Sequence, residues 1–248
     1  MFFKSSHNTN KDEQRPDLLS DENSLPTLGL VKQIYLFLVG LIGLFAINLF
    51  LSLISFAFPK ENREPFVFIG TYFILIVALI IPLIPEAPRF KTYFKNYRNY
   101  ILGIFIGLGI LLFDTVYSNF VNLFYDFGVN NNESSLRQIA ATAPFLTFIV
   151  TAFIGPICEE LTYRAGLFSL LKRVNIVLAY VITSLIFGLI HFDFTSQNIV
   201  IELINLPIYA FSGFALCLTY NKLGLAGSIS AHMFNNIIAI SSVLQGLE

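Results

Sequence analysis

Long stretches without charged residues recur along most of this chain, and they limit it to one class of fold. A helix of about 20 mostly apolar residues crosses a bilayer, and the sequence offers seven candidate stretches: roughly 34–58, 66–84, 100–123, 139–158 running on toward 170, 176–192, 199–220 and 225–244. Only helices and closed barrels satisfy the backbone inside a membrane, and these stretches are too long and too uniformly apolar for barrel strands. Hydrophobic residues make up 55% of the chain and charged residues 12%, well outside the range of soluble domains. We therefore predict an all-α fold, a polytopic transmembrane helical bundle of about seven spans.

The chain divides into three regions by composition. Residues 1–29 are polar and mixed in charge, with no apolar core of a signal peptide, so we expect a disordered or loosely attached tail. Residues 30–135 form N-terminal transmembrane helices with few polar groups. Residues 136–248 hold every residue that we expect to carry function.

The loops predict the orientation in the membrane. Segment 89–98 holds four Lys or Arg, segment 171–173 holds two, and segment 126–135 carries only acids. The positive-inside rule then places the N-terminus in the cytoplasm, with Lys60 and Arg63 as exceptions on the outer side. The lipid bilayer is the expected surrounding, and no basic patch with interleaved aromatic residues indicates binding of nucleic acid.

Two adjacent carboxylates stand where the surrounding sequence is apolar. An ionised Glu at mid-bilayer costs about 2.5–3.5 kcal/mol on insertion scales, so Glu159 and Glu160 need an explanation. On a helix, Glu160 and Arg164 are i and i+4 and can pair, while Glu159 projects about 100° away and has no local cation. The alternative is that the helix ends at Gly155 and both carboxylates are solvated at the interface.

Two histidines and an asparagine lie in the following apolar stretches. His191 follows Phe187 by one turn, and Asn236 follows His232 by one turn on the same helix face. A single His on an apolar helix is most often a structural hydrogen-bonding group. Counted at 1.5 Å per residue from the basic flanks, however, these side chains and the two glutamates can share one level near the middle of the bilayer.

Two imidazoles with a carboxylate can activate water in two ways. Glu159, His191 and His232 can hold Zn²⁺ with a water in the open position, or a Glu can act as general base on a water placed by the imidazoles. The amide N–H of Asn236 is suited to stabilising an oxyanion. Both routes lead to hydrolysis of a peptide bond or a similar acyl group inside the membrane.

The ordered motifs Glu159-Glu160-x-x-x-Arg164, Phe187-x-x-x-His191 and His232-x-x-x-Asn236 resemble those of the CPBP family of intramembrane proteases, also called the Abi or CAAX-protease family. The resemblance covers about 140–240. It implies that Glu159, His191 and His232 activate the water, that Glu160 and Arg164 support the site, and that Asn236 serves the oxyanion. It leaves open whether the mechanism uses zinc or is metal-free.

The resemblance also implies a range of substrates. Eukaryotic members trim prenylated CaaX tails, and bacterial members are linked to bacteriocin self-immunity and peptide-signal processing. Heavy use of Phe, the short chain and the lack of an organelle signal favour a bacterial member. We therefore expect a membrane-embedded or membrane-associated peptide substrate without a prenyl group.

Two alternatives use the same polar cluster differently. The first is a non-catalytic bacteriocin-immunity or peptide-binding membrane protein on the same scaffold. The second is a transporter with a proton relay, for which repeated halves are expected and not found in the sequence. HExxH, GxSG and GxGD, the motifs of other intramembrane proteases, are absent.

Three further acids receive structural interpretations. Asp114 is expected to form an interhelical hydrogen bond or to lie at a helix end. Glu202, near the start of its helix, is expected at the membrane interface. Asp193 is expected to point away from the face of His191, with orientation of an imidazole as the alternative.

Overall fold

The computed structural model describes residues 28–125 and 128–246, so nearly all of the predicted tail 1–29 lies outside the described residues. The described part is helical and contains no strand. Its helices are α1 (Leu30–Ser55), α2 (Lys60–Ile80), α3 (Ala87–Tyr93), α4 (Tyr97–Val121), α5 (Asn131–Thr142), α6 (Pro144–Lys172), α7 (Ile176–Leu189) and α8 (Ile199–Gln245). A 3₁₀ turn, Ile81–Glu86, joins α2 to α3.

Five helical stretches are long and apolar enough to cross a membrane: α1, α2 with its continuation to Lys91, α4, α6 and α8, and α7 is a shorter apolar helix. Large apolar side chains remain exposed along these helices, among them Phe45, Phe105 and Val116. Water would penalise such a surface, whereas lipid tails accept it. The predicted all-α membrane bundle is confirmed, and the chain is an integral membrane protein.

Helix α8 contains two membrane helices joined at Gly224. As one straight helix its 47 residues would extend about 70 Å, roughly twice the thickness of the hydrocarbon core. Gly224 has φ 68° and ψ −166°, a conformation that only glycine adopts without strain. Leu216 and Ala231, on either side of it, belong to one apolar cluster. The chain therefore reverses at Gly224, giving a first arm (199–223) and a second arm (225–245) that match the last two predicted spans.

Small residues let α4 approach the second arm closely. A Cβ at Gly103 would lie 2.3 Å from the carbonyl oxygen of Gly227, and one at Gly107 would lie 2.6 Å from that of Ala231. The Ser230 hydroxyl also donates to the Tyr100 carbonyl at 3.1 Å. This Gly-xxx-Gly contact, of a kind common in membranes, sets the depth of the second arm.

Helix α6 is the central element of the bundle. Two of its segments have the wider π-helical turns, Val150–Ile154 and Glu160–Phe168, and every residue of the second segment is buried. A helix surrounded by protein on all sides can hold polar groups away from lipid, and π turns occur frequently at functional sites.

One boundary in the predicted loop 126–135 was wrong. The structure begins α5 at Asn131, within that loop. The Asn130 side chain accepts a hydrogen bond from the backbone N–H of Glu133 at 2.9 Å. This is an N-cap three residues before an acidic residue, a start signal for a helix that its polar composition concealed.

Candidate active site

Glu160 is the buried centre of the polar cluster. One oxygen, Oε1, lies 3.0 Å from Nη1 of Arg164 and 2.8 Å from Nδ1 of His232. The side chains of Glu160 and Arg164 are both fully buried. The predicted i, i+4 pair is thus formed, and the alternative of carboxylates solvated at the interface is wrong for Glu160.

The Arg164 side chain makes two further contacts. Its guanidinium lies over the Phe187 ring at 4.4 Å from the centroid, and Nη2 donates to the Gly213 carbonyl at 3.4 Å. A cation over an aromatic face gains energy, more so when water is excluded. Arg164 therefore neutralises Glu160 and joins α6 to α7 and α8.

Glu159 points away from that pair, as predicted from the helical geometry. Its side chain keeps 16% of its surface exposed, and Oε2 lies 3.7 Å from Nε2 of His232. That separation is too long for a direct hydrogen bond and is one at which a water can mediate the contact. Tyr72 of α2 lines the same cavity beside this carboxylate.

The partners of the two histidines determine which ring nitrogen carries hydrogen. His191 Nδ1 lies 2.8 Å from the Phe187 carbonyl oxygen, and His232 Nδ1 lies 2.8 Å from the Glu160 carboxylate. Both oxygens only accept, so each neutral imidazole carries its hydrogen on Nδ1. Nε2 of each ring is left as a basic nitrogen, and it receives no hydrogen bond from the described residues.

The His191 ring is oriented by stacking. Its centroid lies 4.5 Å from that of Tyr209, with 9° between the two planes. The Tyr209 hydroxyl accepts from the side-chain amides of Asn130 at 3.2 Å and Asn132 at 3.4 Å. The first arm of α8 thereby connects His191 to the start of α5.

Asn236 is close to the cluster with one of its two N–H bonds in use. Its Nδ2 donates to the Thr151 carbonyl at 3.0 Å, in the first π-helical segment of α6. An amide nitrogen has two hydrogens. The second N–H is therefore the one suited to the predicted contact with an oxyanion.

All these groups adjoin one cavity of about 530 Å³. Glu159, His191, His232 and Asn236 line it at one end, and α5 lines it at the other end with Asn132, Glu133, Ser135, Leu136 and Arg137. Glu160 and Arg164 lie behind this lining. The cavity is large enough for a short peptide segment.

Zinc held by Glu159, His191 and His232 was one of the two predicted ways to activate water. The chemistry of the donors suits it, since each imidazole is oriented through Nδ1 and presents Nε2, as metal-ligating histidines do. The three side chains do not converge, however: among the described residues no three His, Cys, Asp or Glu side chains are arranged to hold a metal ion. The observed arrangement therefore does not fit the metal, and we derive no step through it.

Glu202 and Asp193 join the turn after α7 to the start of α5. The Glu202 carboxylate accepts from the backbone N–H groups of Asn131 at 3.0 Å and Asp193 at 3.2 Å. Glu202 is buried within the protein near the start of α8, and its side chain satisfies backbone donors at a helix start and a turn. Asp193 accepts from the Asn131 side chain at 2.7 Å and from Thr195. These hydrogen bonds lower the pKa of Asp193.

Two site residues had no signal in the sequence. Tyr72 and Tyr209 are aromatic residues within apolar helices, where the bilayer or the core is the ordinary environment. Only the packing of α2 and α8 brings them against Glu159 and His191.

Residues 141–238 match the family model described as "Type II CAAX prenyl endopeptidase Rce1-like". The matched segment contains Glu159, Glu160 and Arg164 on α6, His191 after α7, and both His232 and Asn236 on α8. This segment belongs to the CAAX-protease family. The resemblance found in the three motifs is thereby confirmed.

Two relatives extend this CAAX-protease assignment. "Putative membrane peptidase YdiL" of Bacillus subtilis is 26% identical over 177 residues, which are 69% of this chain and 68% of that protein. An "Uncharacterized protein" of Mycoplasma capricolum is 27% identical over 176 residues, 64% of this chain. That match spans 49% of the Mycoplasma protein, about half its length. No solved structure matches this chain.

Proposed function

We propose that this protein is an intramembrane endopeptidase that hydrolyses a peptide bond of a membrane-associated peptide, with Glu159 as general base. One observation carries this proposal. The partly exposed carboxylate of Glu159 lies 3.7 Å from the bare Nε2 of His232, at the inner end of a cavity that has room for a peptide.

The reaction follows from the protonation states. Glu159 accepts a proton from a water held between its carboxylate and the imidazole nitrogens, and the resulting hydroxide attacks the peptide carbonyl carbon. The C–N bond then breaks, and the proton passes from Glu159 to the departing amine. The products are a carboxylic acid and an amine, which separate as a carboxylate and an ammonium ion once the acid proton has passed to the amine, and Glu159 is regenerated as a carboxylate.

The surrounding residues prepare the site for this step. Glu160, neutralised by Arg164, keeps the hydrogen of His232 on Nδ1 and leaves Nε2 toward Glu159. His191 is held in the same tautomer by the Phe187 carbonyl. The free N–H of Asn236 is the group we assign to the oxyanion, and such donors contribute most when they are already in position before the reaction.

Cleavage by purified protein tests this function. We expect the protein in detergent to cut members of an apolar peptide library and Glu159→Gln to lower the rate by at least about 100-fold, the lower end of the range for general bases. Glu64→Gln is the matched control, because Glu64 is exposed on α2 and does not line the cavity. Equal rates for the parent and Glu159→Gln would remove the proposed mechanism. Peptide binding without cleavage would favour the binding or immunity protein.

Metal content is measured on the same samples. Zinc at Glu159, His191 and His232 is the alternative to this mechanism, and it would require the three donors to move together. About one zinc per chain, lost together with cleavage in His191→Ala and His232→Ala, would support it. Cleavage by metal-free protein would support the base mechanism derived above.

We also propose a bacterial cell membrane as the location, with the N-terminus in the cytoplasm. The basic residues between α2 and α4 and at the end of α6 support this orientation. The end of the cavity at α5 then lies toward the outer side. Two reporters fused before α1, one active only in the cytoplasm and one active only outside, test the orientation, and activity of the second alone would reverse it.

A further inference from the structure

The proposed catalytic groups do not use one carboxylate in the cavity. Asp114 of α4 lines the cavity, and its buried Oδ1 receives no hydrogen bond from the described residues. The expected interhelical hydrogen bond to this side chain is not formed. A carboxylate in a membrane helix without a partner is costly, so its retention indicates a partner from outside the chain.

The depth of Asp114 relative to the site follows from the packing of α4. This helix runs parallel to the second arm of α8, with Gly103 against Gly227 and Gly107 against Ala231. Asp114 comes seven residues after Gly107 and His232 one residue after Ala231, so Asp114 lies about 9 Å farther along the cavity. This is the direction in which α5 closes the cavity.

The charges of the lining favour a cation at this position. Four charged residues among the described ones line the cavity: Asp114, Glu133, Arg137 and Glu159. Arg137 is already paired with Glu133, its Nη2 lying 2.6 Å from Oε1. The described lining therefore has no unpaired cation, and its unpaired acidic side chains are Asp114 and Glu159.

We infer that Asp114 forms a subsite for a basic side chain of the peptide substrate, a lysine or an arginine two to three residues from the bond that is cut. An extended peptide advances about 3.3 Å per residue, which matches the separation of about 9 Å. The neighbouring Oδ1 of Asn235, buried and without a partner among the described residues, is a second acceptor facing the same cavity. This inference rests on the proposed peptidase function.

Binding to a protein that cannot turn over separates the subsite from catalysis. Apolar synthetic peptides carrying either lysine or its neutral analogue norleucine at one position are titrated against Glu159→Gln, with the substituted position moved along the peptide. The same series is measured with Asp114→Asn and, as control, Glu64→Gln added to that background. The comparison uses the ratio of lysine to norleucine affinity, because detergent partitioning of the peptides is common to all the proteins.

We expect a lysine preference of about tenfold at one position, the size of a charge-assisted hydrogen bond. The preference should disappear in Asp114→Asn and remain in Glu64→Gln. The same ratio in Asp114→Asn as in its parent, or no preference at any position, would overturn the subsite. Asp114→Ser gives the same comparison if the Asn variant folds poorly. A lysine preference that depends on Asp114, without cleavage by the parent enzyme, would retain the subsite and remove the peptidase function.

Discussion

His232 Nδ1 and Arg164 Nη1 share one oxygen, Oε1 of Glu160, at 2.8 Å and 3.0 Å. The same carboxylate therefore stabilises the buried cation and sets the tautomer of the imidazole. Loss of Glu160 should damage stability and chemistry together.

We expect Glu160→Gln to lower the free energy of unfolding by about 3–5 kcal/mol, because it leaves Arg164 buried and unpaired. The matched control is Glu133→Gln, which breaks an i, i+4 pair with Arg137 where both side chains are 38% exposed. Such a pair contributes about 0.3–0.5 kcal/mol. Denaturation midpoints in detergent measure both variants, and equal losses would contradict the central role of the Glu160 pair.

The contact between α4 and the second arm of α8 should be sensitive to a single methyl group. We expect Gly107→Ala to destabilise the protein by about 1–3 kcal/mol and to lower cleavage, since its Cβ would press on the Ala231 backbone. Gly109→Ala, on the same helix with no atom within 4 Å of the added Cβ, should be neutral or stabilising. Thermal melts of the two variants test this prediction, and a larger loss of stability for Gly109→Ala than for Gly107→Ala would exclude this packing.

Tyr209 is a positioning residue for His191. We expect Tyr209→Leu to lower kcat by releasing the imidazole, while Tyr209→Phe keeps the stacking and most of the rate. A role in stability alone would change unfolding and leave the pH profile of kcat unaltered. The pH profile of the Leu variant is therefore the deciding measurement, and we expect its acidic limb to move, because the mechanism requires the imidazole of His191 to be neutral.

Asp193 should make the link between α5 and α8 dependent on pH. Its pKa is lowered by hydrogen bonds from Asn131 and Thr195, so its folded value lies below the unfolded value of about 3.9. The stabilisation is present above that unfolded value and is lost as the pH falls through the folded one. We expect Asp193→Ala to lower the denaturation midpoint at pH 6 and to differ less from the parent at pH 3. A constant difference would show that ionisation of Asp193 is not involved.

The sequence predicted the helices and the catalytic cluster because both depend on local spacing. Apolar length determines the spans, and the i, i+4 relation of Glu160 and Arg164 survives even in a π-helical segment. The separation of Glu159 from that pair could also be derived, since adjacent residues on a helix diverge. The roles of these residues in catalysis stay predictions.

Contacts between segments that are distant in the chain could not be predicted from the sequence. Tyr209 and Tyr72 reach the histidine and the glutamate only through tertiary packing, and nothing in an apolar helix marks which aromatic ring faces inward. The partners of Glu202 could not be predicted for the same reason: the N–H groups of Asn131 and Asp193 belong to a helix start and a turn. The use of one Asn236 N–H by Thr151 likewise depends on how α6 and α8 meet.

The reversal at Gly224 leaves no spare residues between the two arms of α8. The positions of Tyr209 on one arm and His232 on the other are therefore fixed relative to each other, both along the helix axes and around them. A residue inserted next to Gly224 would turn His232 by about 100° and raise it by about 1.5 Å. Longer connections between helices can accommodate inserted residues. The turn at Gly224 cannot, because it fixes how far along the cavity Tyr209 and His232 lie relative to each other.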